Sequence, residues 1–127
     1  EMINETRVIS LDGRPHVASS VRQWNGDSRG RWEGDTLVVE TTNFDAKQVF
    51  RGFSVETLQL VERFTRTGPD QIDYQMTLTD PETYSSPWTV ALPMMRSEGP
   101  VFEYACHEGN LGMEGILAGH RAEEASQ

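Results

Sequence analysis

Alternation of apolar and polar residues is clearest over Leu58–Arg66 and Gln71–Asp80, two runs joined by Thr67-Gly68-Pro69-Asp70, and it predicts an antiparallel hairpin. In the second arm Ile72, Tyr74, Met76 and Leu78 share one face, a repeat of two that a strand buries on one side. In the first arm the same repeat puts Glu62 with Leu58, Leu60 and Phe64, so a carboxylate is directed to the core side. Upstream, Thr6–Leu11 predicts a strand stopped by Asp12-Gly13-Arg14-Pro15, and Val17–Gly30 an ordered, glycine-punctuated loop. Arg31–Glu33 and Thr36–Thr42 flank Gly34-Asp35 as a further hairpin. Residues Asn43–Thr57 predict an irregular connection anchored by Phe44, Phe50 and Phe53. Downstream, Trp88–Met95 predicts a strand in which Pro93 marks an edge or a bulge, and Val101–His107 a last strand. The end is a glycine-rich tail with a short helical turn near Ile116 and a frayed Arg121–Gln127.

These runs predict a mainly β fold, an antiparallel meander forming a curled sheet or a small up-and-down barrel. A chain of 127 residues suits one domain, and 36% hydrophobic with 24% charged residues is ordinary for a globular one. The net charge of −9 sets the chain against nucleic acid and anionic membranes, and no apolar stretch reaches the roughly 20 residues of a membrane span. A small-molecule ligand or substrate is the expected partner, and an exposed edge near Pro93 permits a homodimer. The single Cys106 has no partner for an internal disulfide.

Several polar groups fit acid and base chemistry. A buried Glu62 must be paired, hydrogen-bonded or protonated, and the protonated form is a general acid near neutral pH. On Val101–His107 the alternation brings Glu103 and His107 to one face, where a carboxylate can orient an imidazole acting as general base. Cys106 points to the other face, away from His107. Arg14-Pro15-His16, Arg29 and Arg31 form a positive spot able to orient a carboxylate or polarise a carbonyl, with pairing to Glu33 and Asp35 as the structural alternative. Trp24, Trp32 and Trp88 are candidate contact surfaces for a ligand, with the core as the commoner place for two of them, and Tyr74 joins the same substrate-binding set. Asp27 lies in a glycine-flanked loop that could contact substrate or hold Ca²⁺, without the EF-hand spacing. No local transition-metal signature occurs, and no cofactor is expected beyond that candidate cation.

Three stretches, Asp12-Gly13-Arg14-Pro15-His16, Gly26-Asp27-Ser28-Arg29-Gly30-Arg31-Trp32-Glu33-Gly34-Asp35-Thr36-Leu37-Val38-Val39 and Cys106-His107-Glu108-Gly109-Asn110, resemble the C-terminal portion of a group of uncharacterised, apparently exported soil-bacterial proteins. The resemblance spans nearly the whole chain. It implies a periplasmic or extracellular location and, since such proteins are longer at the N terminus, a fragment or short member. The meander is also similar to lipocalin-type barrels, which implies a cup for a small ligand.

Two functions follow as expectations. One is an enzyme using general acid/base chemistry, a hydrolase of lactones, esters or glycosides or a lyase, with His107 as base, Glu62 as acid and Arg31 stabilising negative charge. The other is a non-catalytic module binding a sugar or a hydrophobic ligand through its tryptophans.

Overall fold

The computed structural model describes residues 6–47, 56–100 and 111–125. The expected strand Val101–His107, with Glu103, Cys106 and His107, lies outside them, as do Phe50 and Phe53. Residues Thr6–Glu98 form one compact unit, and a second unit contains Gly99–Gln127.

The first unit is one six-stranded sheet whose strands lie side by side in chain order: β1 (Ile9–Ser10), β2 (Asp27–Glu33), β3 (Thr36–Thr42), β4 (Gln59–Arg66), β5 (Gln71–Thr79) and β6 (Trp88–Met95). From β2 to β6 every pairing is antiparallel. The first strand departs from the expected meander, because β1 runs parallel to β2. A parallel neighbour needs a crossover, and the chain from Leu11 to Gly26 supplies it. β1 and β6 do not pair with each other, so the sheet is open and not closed into a barrel.

β2 also begins earlier than the glycine-rich sequence suggests, since Asp27–Gly30 pairs with Val39–Thr42 instead of forming a loop. Gly30 fits a strand here because side chains lie across it. A Cβ at that position would sit 2.5 Å from Leu11 Cδ2 and 2.8 Å from Ile9 Cγ2. Gly34, at φ 59°, makes the tight turn into β3.

The register sorts side chains onto two unlike faces. On one face Val39, Glu62, Met76 and Val90 lie opposite one another across four strands, flanked by the rows Thr41, Leu60, Leu78, Trp88 and Leu37, Phe64, Tyr74, Leu92. The core gathers at one end of this face, where Phe44, Leu58, Leu60 and Leu78 are buried and Met76 and Trp88 pack against them. Ile72, expected in the core, sits at the opposite end, 37% exposed, near Leu92 and Met94, which are also open to solvent. The other face is polar. There Arg31 pairs with Glu33 (2.9 Å) and Glu40, Arg63 reaches Glu33 (2.8 Å), and threonine pairs Thr36–Thr65 and Thr77–Thr89 are hydrogen-bonded at 2.8 Å.

In the second unit α1 spans Gly112–Ala125, longer than the single turn expected near Ile116, and it runs through most of the segment expected to fray. Met113, Glu114, Leu117, Ala118 and the run Arg121–Ala125 favour helix strongly enough to offset Gly115 and Gly119. His120 and Glu124, one turn apart, lie 3.3 Å from each other.

Candidate functional site

Glu62 is 6% exposed in the middle of the apolar face. Tyr74, opposite Phe64 on β5, donates its hydroxyl proton to Glu62 Oε1 at 2.9 Å. Arg7, just before β1, brings Nη1 to 2.7 Å from Oε2, an ion pair without the alignment of a hydrogen bond. Both carboxylate oxygens are thereby engaged, and Glu62 ties β4 to β5 and to the segment leading into β1. Burial, together with the hydrogen bond to Glu62 and that carboxylate's charge, pushes the Tyr74 phenol up to about 12. The phenol therefore remains a donor through the physiological range.

A second constellation lies on the polar face, around Asp27 at the start of β2. Asp27 is 7% exposed. Its Oδ2 accepts from the Val17 backbone N–H (3.1 Å) and Arg29 Nε (3.2 Å) and lies 2.9 Å from His16 Nδ1. Arg29 Nη2 approaches Oδ1 at 3.0 Å. Burial alone would raise the Asp27 pKa, but the bonds from Val17, His16 and Arg29 and the Arg29 charge carry it below the ordinary carboxylate value. An ionised carboxylate only accepts, so His16 Nδ1 must be the donor. In the neutral ring that leaves Nε2 as the basic nitrogen.

Two clefts flank this pair. A cleft of about 200 Å³ is walled by Ser10, the Gly13–His16 segment, Arg29, Gly30, Arg31 and Glu40. Three arginines and one imidazole thus converge there, each arginine paired with a carboxylate: Arg14 with Asp12, Arg29 with Asp27, and Arg31 with Glu33 and Glu40. A larger cleft of about 430 Å³ lies between Thr6–Val8 and Gln23–Ser28, and Ser10 borders both.

The expected site residues are therefore dispersed. Arg31 faces Val38 across the sheet and Glu62 faces Val39, so the two project from opposite faces, and Arg31 cannot stabilise charge beside Glu62. It is bonded to Glu33 and Glu40, the structural alternative for Glu33, and it lines the cleft that holds His16. Asp27 borders the larger cleft, with Oδ2 held by Val17, His16 and Arg29 and Oδ1 facing Arg29 Nη2 at 3.0 Å. Among the described residues no group of three or more His, Cys, Asp or Glu converges as a metal site would require. Tyr74 spends its hydroxyl on Glu62. Trp88 packs on the core edge-to-face with Tyr84, ring centroids 6.0 Å apart, and its buried Nε1 has no hydrogen-bond partner among the described residues. Trp24 and Trp32 are 51% and 63% exposed, so only one of the three tryptophans is a core residue. Glu103 and His107 lie outside the described residues.

Sequence reasoning missed the His16–Asp27 pair. Its members belong to two of the motif stretches but stand eleven residues apart, and no local spacing signals a contact made by the crossover between β1 and β2. Comparison of the chain with protein-family models, with curated proteins and with solved structures finds no match.

Proposed function

We propose that this chain is a small-molecule hydrolase of esters or lactones working by general acid/base chemistry in the arginine-lined cleft of the polar sheet face, with His16 as the base. The observation that carries this reading is the 2.9 Å contact of His16 Nδ1 with the buried Asp27 carboxylate at the wall of a cleft shared with Arg14, Arg29 and Arg31. Asp27 fixes the imidazole tautomer and holds the ring in place. His16 Nε2 takes a proton from a water whose oxygen bonds to the ester carbonyl carbon. The carbonyl electron pair moves onto oxygen, where the guanidinium N–H groups of Arg14 and Arg31 that Asp12, Glu33 and Glu40 do not engage stabilise the negative charge. When that pair returns, the C–O bond to the alcohol breaks, and the departing oxygen receives the proton held by Nε2. Acid, alcohol and neutral histidine result, and no cofactor enters.

Glu62 takes no part in this scheme. Its bonds to Tyr74 and Arg7, on the opposite face, support a structural role. The test is cofactor-free turnover on a panel of lactones and short-chain esters. A His16→Gln variant should retain its thermal midpoint and lose about 10²–10⁴-fold in kcat/KM. Absence of turnover across the panel, or equal turnover in the variant, overturns the reading; saturable binding without turnover favours the non-catalytic alternative.

A further inference from the structure

Trp24 stands out because it sits on a backbone turn that is fixed on both sides and its side chain is left wet. It is 51% exposed at the wall of the 430 Å³ cleft. The turn that carries it is fixed on both sides. Gln23 N–H donates to the Asn43 carbonyl and Asp45 N–H to the Gln23 carbonyl, both at 2.9 Å, while Gly26 N–H closes the turn onto Gln23 at 3.1 Å. Asn43 in turn donates its side-chain amide to the Val17 and Ala18 carbonyls. Gly26 adopts φ 71° with no room for a Cβ, which would lie 2.7 Å from both Thr41 Cγ2 and the Thr42 carbonyl oxygen. An indole left half in water is a loss of burial, and a fixed backbone beneath it limits the ordering that stacking a ring on it requires to the two side-chain torsions.

The rest of the lining decides which ring. Among the described residues the lining is otherwise mostly polar, with Thr6, Ser10, Gln23, Asn25, Asp27 and Ser28, and Val8 is the one other large apolar residue beside Trp24. A flat aromatic ligand would strand these polar groups, whereas a pyranose offers an apolar C–H face to the indole and hydroxyls to its rim. The cationic group at this cleft, Arg7, is neutralised by Glu62, so an uncharged sugar fits better than an anionic one.

We propose that the larger cleft binds the pyranose ring of a sugar ester, stacked on Trp24, with the ester carbonyl in the neighbouring cleft beside His16. The link between the two subsites is Ser10, which borders both. The ester half of this statement rests on the hydrolase reading; the sugar half stands on the Trp24 cleft alone.

Isothermal titration calorimetry of the whole chain with cellobiose, maltose and lactose tests the sugar half without requiring turnover. At least one disaccharide should give saturable heat, Trp24→Ala should weaken it by roughly tenfold or more, and Trp24→Phe should recover most of the loss. Trp32→Ala, an exposed tryptophan outside the cleft, should bind as the unchanged chain does. No saturable heat with any of the three, equal affinity in Trp24→Ala, or tighter binding of p-cresol than of the sugars overturns the proposal. Trp24-dependent sugar binding without ester turnover retires the hydrolase and keeps the sugar site. Turnover of simple alkyl esters and acetylated sugars that is equally indifferent to Trp24→Ala keeps the hydrolase and retires the sugar site.

Discussion

Replacing Tyr74 by Phe isolates the hydrogen bond that supports the buried Glu62 carboxylate. The ring stays, so its tilted contact with Phe64, centroids 4.9 Å apart, is kept and no cavity opens. What disappears is the 2.9 Å donor to Oε1, leaving a carboxylate that is 6% exposed with Arg7 on its other oxygen. Hydrogen bonds to charged groups contribute about 1.5–3 kcal/mol, and an orphaned buried acceptor adds a desolvation cost of similar size. Tyr74 is itself only half-buried, so water can replace part of the donor, and a loss of about 1–2 kcal/mol is expected. Urea unfolding followed by circular dichroism measures it, with an unchanged m value confirming that native compactness is retained. A double-mutant cycle with Glu62→Gln should recover at least half of the loss as coupling between the two side chains. A Tyr74→Phe chain as stable as the parent, or a coupling near zero, would refute the claim that this bond anchors Glu62.

Two further outcomes follow from the same geometry. Ultraviolet titration of phenolate formation, compared with Tyr74→Phe, should assign to Tyr74 a transition near 12 instead of the usual 10 or so. Because the folded value is raised, the stability that Tyr74 contributes is complete below about 10 and is lost as pH rises towards about 12, so alkaline unfolding of the parent should steepen in that window. Gly26→Ala should cost at least about 1–3 kcal/mol in urea unfolding, since it forces an alanine to φ 71° against the Thr42 carbonyl; a neutral result would mean that the Trp24 turn is not rigid.

The features legible in the sequence are those set by local periodicity. Glu62 points where alternation with Leu60 and Phe64 sends it, and the hairpins at Gly34-Asp35 and Thr67–Asp70 are closed by neighbouring residues. What periodicity cannot encode is which end of a strand the rest of the chain covers. Leu78 is buried and Ile72 exposed on one face of one strand, because Phe44 and Leu58 reach only the first. The candidate site is harder still to read. His16 meets Asp27 only because β1 runs parallel to β2 and the crossover returns past its start, a long-range arrangement with no periodic mark. Asp27–Gly30 reads as loop for the same reason: its glycine answers to Ile9 and Leu11, residues far upstream.

Strand β1 gives the sheet an uneven hold on its own chemistry. From β2 to β6 each strand is registered with its neighbour along most of its length, whereas β1 is registered only at Ile9–Ser28 and Ser10–Arg29, supported by Ile9 and Leu11 beside Gly30 and by the Arg7–Glu62 ion pair. Closing the crossover loop costs chain entropy before those few contacts return it, which places β1 last in assembly and first in local opening. Ser10 borders both clefts, and His16 sits within the crossover. Peeling away a two-residue strand would therefore dismantle both clefts while the five-stranded remainder stayed folded, so the clefts are governed by a smaller free energy than the one that keeps the sheet intact.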